Sequence, residues 1–243
     1  MRLILRLRLA WLALVMLLPC IWTQAANLQI SPVMISFGTG QSAAGIKLQN
    51  YGDTPLYGQV RVYVWDQQAG EDVLTPTNEV IASPPIMEIA PKTSQTIRLV
   101  RRTGAPAENE KAYRVLIDEI PRSDDSTSGV AIRLQYSVPV FVLSADERAA
   151  PALAWTVFRG KDGWMLRVKN TGTMRAQIGA TTVRTSTGKE YELTKGLLGY
   201  ALSGKTREWR LSVDKAAELV GPLDIRTLVN TKAVTASGTV LTD

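Results

Sequence analysis

From Leu28 onward the chain runs in short stretches of alternating apolar and polar residues, each closed by glycine, proline, asparagine or aspartate. Alternation with period two places successive side chains on opposite faces of a strand. Runs this short and this closely spaced predict an all-β sandwich architecture. Gly45–Leu48, Tyr57–Asp66, Thr96–Arg102 and Ala112–Ile120, with the stretch opening at Leu28, form a first set of strands. Ala154–Phe158, Trp164–Lys169, Ala176–Arg184, Tyr191–Leu193, Glu208–Ser212, Leu223–Val229 and Ser237–Leu241 form a second. Asp162-Gly163 and Thr187-Gly188 read as hairpin turns, and only Val213–Val220 reads as helical.

The two sets echo one another. "KLQNYGDTPLYGQV" at 47–60 and "RVKNTGTMRAQIGA" at 167–180 both place a strand, Asn-x-Gly and a second strand at corresponding points of two halves. With the strand count, the echo predicts two similar sandwich domains. The polar, small-residue segment "SADERAAPA" at 144–152 sets the boundary, giving domains over 26–144 and 145–243.

Residues 1–25 read as a secretory signal peptide. Arg2, Arg6 and Arg8 precede an apolar run, Leu9 to Ile21, which is too short to span a bilayer, and Thr23-Gln24-Ala25 offers a small-residue cleavage site. Its removal takes with it Cys20, the only cysteine, so no disulfide is expected in the exported chain of about 217 residues, enough for two unstapled domains. Losing those three arginines lowers the formal net charge from +6 to +3, which does not point to nucleic acid. No later stretch is long and apolar enough to span a membrane, so the exported protein is expected to be soluble.

Catalysis finds little support. The chain has no histidine, which excludes histidine triads and the commonest zinc ligands; no metal and no cofactor are expected. "GYALSGKT", Gly199 to Thr206, matches the phosphate-loop pattern in full, but the alternating "REWRLSV" follows where a helix is required. "STGK" at 186–189 matches a serine–lysine nucleophile pattern, Ser186 with Lys189, yet falls in a hairpin turn. A periplasmic hydrolase using that pair is the alternative from another functional class.

"GVAIRLQYSVPVFV" at 129–142 reads as one long strand with Val130, Ile132, Leu134, Tyr136, Val138, Val140 and Val142 on one side. Pro139 places it at a sheet edge or a bulge. The polar segment "IPRSDDSTSG" at 120–129 leads into it as a loop. Such a strand can cover its own core, pair with a second copy in a self-associating sandwich protein, or complete another protein's sheet.

"YRVLIDEIP" at 113–121, a loop and then this strand resemble the last two strands of the first domain in periplasmic chaperones for pilus subunits. "SPPIMEIAPKTSQTIRLVRR" at 83–102 and "NYGDTP" at 50–55 are similar to that family's paired-proline segment and its turn after the second strand. The resemblance covers residues 28–143. It implies two immunoglobulin-like sandwiches in an L-shaped arrangement. It further implies that the long strand fills the open groove of a pilus or fimbrial subunit until an outer-membrane usher exchanges it for the next subunit's extension. The donor residues implied are Val130, Ile132, Leu134 and Tyr136.

The resemblance breaks at the charge anchor. Conventional members grip the subunit's terminal carboxylate with an arginine in the first strand and a lysine in the donor strand. Here "SPVMISF" at 31–37 has no basic residue, and Pro139 stands about where the lysine would be. The chain therefore looks closer to the archaic or alternative branch. A carboxylate in a cleft still requires a cation; Arg114 is the first candidate, followed by Arg98, Arg101 and Arg133.

Overall fold

A computed structural model describes residues 28–104, 107–120, 133–214 and 219–241, and among them every regular element is a strand. The first ten are β1 (Leu28–Ser31), β2 (Ile35–Phe37), β3 (Ala43–Asn50), β4 (Leu56–Gln68), β5 (Glu71–Pro76), β6 (Val80–Ser83), β7 (Ile86–Ile89), β8 (Ser94–Arg101), β9 (Lys111–Glu119) and β10 (Gln135–Val142). They form two facing sheets, in the orders β1-β3-β8-β6 and β2-β10-β9-β4-β5, with β7 also paired to β4. Ile46, Leu48, Ile97 and Leu99 from one sheet pack against Val115, Ile117, Val138 and Val140 from the other. Residues at i and i+2 supply this core, as period-two alternation requires.

The remaining strands are β11 (Leu153–Gly160), β12 (Gly163–Asn170), β13 (Ala176–Arg184), β14 (Glu190–Thr194), β15 (Gly199–Ala201), β16 (Thr206–Arg210), β17 (Leu223–Val229) and β18 (Lys232–Leu241). Here the two layers are joined into one wrapped sheet, β14-β13-β17-β18-β11-β12-β16. The joint is β18, antiparallel to β17 over Lys232–Gly238 and parallel to β11 over Gly238–Leu241. Trp155, Leu166, Ile178, Leu223 and Ile225 fill the second core. The architecture is thus all-β with two sandwiches, as the alternation implied.

The expected strands are present, several of them longer at their ends, while those read as Thr96–Arg102, Ala112–Ile120 and Glu208–Ser212 end at Arg101, Glu119 and Arg210. Short strands β2, β6, β7 and β15 carry too few alternating positions to stand out in sequence, and β5 has no buried face to set up an alternation. The helix expected at Val213–Val220 is not found among its described residues, Val213, Asp214, Leu219 and Val220; 215–218 lie outside them. Leu219 is fully buried and Val213 packs on the second core, so the apolar signal there belongs to a segment closing the sandwich. The signal peptide at 1–25 also lies outside the described residues.

The Asn-x-Gly echo has a physical basis. Asn50 and Asn170 are both fully buried. Asn50 Nδ2 donates to Thr54 O at 2.8 Å and to Ile89 O at 3.0 Å, while its Oδ1 accepts from Gly52 N at 2.8 Å. Asn170 Nδ2 donates to Met174 O at 2.8 Å and to Ala201 O at 3.0 Å, and its Oδ1 accepts from Gly172 N at 3.0 Å. Each side chain closes its own turn and ties it to a neighbouring strand. Gly172 is required for another reason: a Cβ there would sit 2.2 Å from Ala150 O, in the segment that joins the sandwiches. Asn50→Ala and Asn170→Ala should each cost about 2–3 kcal/mol, because one buried carbonyl, one part-buried carbonyl and one N–H lose their partner. Thermal unfolding of the two variants checks this.

Candidate binding edge and interdomain cleft

The strand read at 129–142 is regular only from Gln135. Arg133 and Leu134 precede it outside the ladder, and 129–132, with Val130 and Ile132, lie outside the described residues. β10 is also an edge over only part of its length. β9 pairs with all of it, while β2 runs parallel to Val140–Val142 on the other side. From Gln135 to Pro139 that second side has no strand among the described residues.

Glu119 N donates to Leu134 O, so alternate pairs Tyr136/Ile117 and Val138/Val115 carry the ladder bonds. Pro139, opposite Arg114, falls between them, and its missing donor faces away from β9. The unpaired row presented outward is therefore that of Gln135 and Ser137, ending at Pro139.

The two faces of β10 do different work. Tyr136, Val138, Val140 and Val142 face the first core, and Tyr136 Oη donates to Leu28 O at 3.1 Å. Leu134 continues this face beyond the core's end. At the start of the strand, Arg61 Nη2 lies 2.8 Å from Asp118 Oδ2, and Gln135 Nε2 donates to the same carboxylate. Burial pushes the Asp118 carboxyl up, but Gln135 and Arg61 outweigh it and hold it below the ordinary range.

The opposite face, through Pro139 and Phe141, meets the second sandwich. Phe141 and Trp65 pack with Tyr200 and Leu202 in a small core between the domains, the Trp65 and Tyr200 rings edge to face at 5.3 Å. Gln67 is buried and bridges backbones, its Nε2 donating to Tyr200 O at 2.7 Å and its Oε1 accepting from Leu202 N at 2.9 Å. Lys205 Nζ lies 2.7 Å from Asp66, and Arg207 Nη1 lies 2.8 Å from Glu71. Arg175 is ion-paired to Glu110 and lies 3.7 Å over the Phe141 ring, with both charged side chains buried. Burial pushes the Glu110 carboxyl up, only partly opposed by Arg175. This contact fixes one sandwich against the other through paired charges and backbone bridges.

The phosphate-loop-like "GYALSGKT" is part of this junction. Gly199–Ala201 forms β15, a turn follows, and Thr206 opens β16, so a strand stands where a helix would be needed. Its Lys205 is occupied by Asp66. Ser186 and Lys189 sit in the β13–β14 turn, with Lys189 Nζ 5.2 Å over the Tyr191 ring and no helix opening at the serine.

Between the sandwiches, next to the open half of β10, lies a cleft of about 610 Å³ lined by Val33, Met34, Arg114, Pro139, Leu197 and Trp209, among others. Arg114, half-buried on β9, stacks 3.7 Å above the Trp65 ring. Among the described residues no carboxylate lies within ion-pair distance of it. Burial lowers its pKa, with Asp72 acting in the opposite sense. The other cation-site residues lie elsewhere. Arg98 is exposed on β8, in the other sheet; Arg101 donates to Gln41 O at 3.3 Å; Arg133 is exposed just before β10. Of the four arginines, only Arg114 is placed in the cleft.

Trp65, Gln67, Glu110, Arg175 and Tyr200 were not anticipated, since they act across two domains. One signal was available: "VPVFV" at 138–142 is apolar without interruption, the mark of a strand covered on both faces.

Two all-β sandwiches, one with a half-open edge strand beside a cationic interdomain cleft, define an immunoglobulin-like two-domain binding protein. Residues 27–144, just under half of the chain, match the family model for the pili and flagellar-assembly chaperone, PapD N-terminal domain. A comparison with curated proteins found no match. Among solved structures, the chaperone–tip adhesion subunit complex CsuC–CsuE of archaic Csu pili from Acinetobacter baumannii is 26% identical, with TM-score 0.70, covering 89% of this chain and 100% of that one. The E. coli chaperone DraB is similar in fold at 18% identity and TM-score 0.59, covering 86% and 95% of the two chains. The SafA pilin–SafB chaperone complex of Salmonella enterica is similar in fold at 15% identity and TM-score 0.58, covering 89% and 96%.

Proposed function

We propose that this chain is a periplasmic chaperone that binds, folds and caps pilus or fimbrial subunits by donor-strand complementation and delivers them to an outer-membrane usher. The observation that carries the reading is the half-open β10. Its unpaired row begins where Leu134 leaves the first core and ends at Pro139, beside the cleft. An incomplete partner sheet can pair with that row and receive Val130, Ile132 and Leu134 in its groove, with Tyr136 at the seam between the two proteins. Residues 1–25 act as the cleaved export signal, residues 26–144 carry the donor strand and residues 145–243 form the far wall of the cleft. Binding proceeds by pairing and apolar insertion, without catalysis or cofactor. No helix among the described residues is long and apolar enough to cross a membrane.

Arg114 anchors the partner's terminal carboxylate. Its stacking on Trp65 holds the guanidinium in the cleft, and with no carboxylate within ion-pair distance among the described residues its donors are left for a ligand. The function is tested by co-expression with a candidate subunit from the same pilus operon: a one-to-one complex is expected to purify. Arg114→Ala should weaken that complex about tenfold, the scale of a charged hydrogen bond, with an unchanged melting temperature. An unchanged affinity moves the anchor away from Arg114.

A further inference from the structure

Three large apolar side chains, Val33 (74% exposed), Met34 (38%) and Leu197 (57%), lie open to solvent in the same cleft. Single exposed apolar residues are ordinary on a protein surface. Here they come from both sandwiches and converge on one space beside Arg114, a cation with no ion-pair partner among the described residues.

The second-domain lip is held rigidly. Leu198 N donates to Ile178 O at 2.8 Å and the Leu198 side chain packs on the second core, so the neighbouring Leu197 is pinned facing outward. Behind it Gly199, at φ 150°, lies so close under Trp209 that a Cβ would come within 2.9 Å of the indole nitrogen. The missing side chain lets that indole form the cleft wall.

The charge in the cleft selects the occupant. Arg207 is neutralised by Glu71, with Asp72 nearby at 3.5 Å, whereas Arg114 has no ion-pair partner among the described residues. A purely apolar occupant would leave Arg114 desolvated and unpaired. A small polar anion would leave the apolar walls wet. We infer that the cleft reads the very end of the partner chain, taking a terminal carboxylate at Arg114 together with a large apolar or aromatic last side chain held between Val33 and Met34 of the first sandwich and Leu197 of the second. The second domain is then a specificity wall. This inference rests on the carboxylate-anchor reading above.

The test uses fluorescein-labelled peptides with alternating apolar residues, identical except at the end: Phe with a free carboxylate, Ser with a free carboxylate, and Phe as the amide. Anisotropy titrations are run with the full chain and with Leu197→Ser and Val33→Ser, both at exposed positions that leave the cores intact. The free-acid Phe peptide should bind about tenfold tighter than the Ser peptide, and Leu197→Ser should remove most of that difference. The amide should bind more weakly than the acid in every variant. If acid and amide bind alike, the anchor reading fails. If they differ but Phe and Ser bind alike, the anchor stands and the apolar wall is overturned. Concentration-dependent dimerisation abolished by Leu197→Ser, with no peptide binding, would assign the cleft to a second copy and overturn both.

Discussion

Leu134→Asp is expected to abolish subunit capture while the free protein melts within about 2 °C of the parent, and Ile132→Asp should behave in the same way. Leu134 lies on the core-facing side of its strand but beyond the end of the core, so the free fold loses little apolar burial. In the complex the same position enters the partner's groove. There the substitution removes about 1.5–3 kcal/mol of apolar burial and adds the larger penalty of a desolvated carboxylate, so affinity should fall by more than about a hundredfold. Tyr136→Asp supplies the contrast: Tyr136 packs on the first core and bonds to Leu28 O, so this change should lower the melting temperature as well as capture. Co-purification of a subunit at normal yield with Leu134→Asp would show that donor-strand insertion is wrong.

Glu110→Ala should give the largest loss of stability, about 3–5 kcal/mol, because it leaves the Arg175 guanidinium buried over Phe141 without its carboxylate. Glu110 Oε1 also accepts from Arg175 N at 3.1 Å, so the variant loses a backbone bond in the same step. For a chain of this size the fall in melting temperature should be about 10 °C. Arg175→Met on top of Glu110→Ala should recover part of it, since the stranded charge is then gone while the apolar cover on Phe141 remains. A double variant no more stable than Glu110→Ala would place the cost in lost backbone contacts.

How far the fold was readable depended on the range of each interaction. Alternation marked the strands because burial on one face repeats every second residue within a segment, as in Val115 and Ile117 of β9. The two Asn-x-Gly turns were readable because a buried asparagine closing its own turn leaves a local signature. The half-open state of β10 was not readable. It depends on three residues, Ile35–Phe37, arriving from far upstream to cover Val140–Val142. Arg114 was singled out through its place on the strand pairing with the donor. Its stacking on Trp65 could not be foreseen, because nothing in either segment encodes the other's position. The junction is harder still: Gln67 meets Tyr200 and Leu202 across 133 and 135 residues of sequence.

The short parallel contact of β2 with the end of β10 sets a limit on growth. A fully open strand can be extended from either end, and each added molecule can present another such strand, so assembly need not stop. Here β2 blocks one end of the row and Pro139 removes the last donor before it. A molecule seated on this edge has one place to sit, and that place is filled once it is seated. The arrangement therefore favours a closed pair that can be taken apart over a filament that keeps its scaffold.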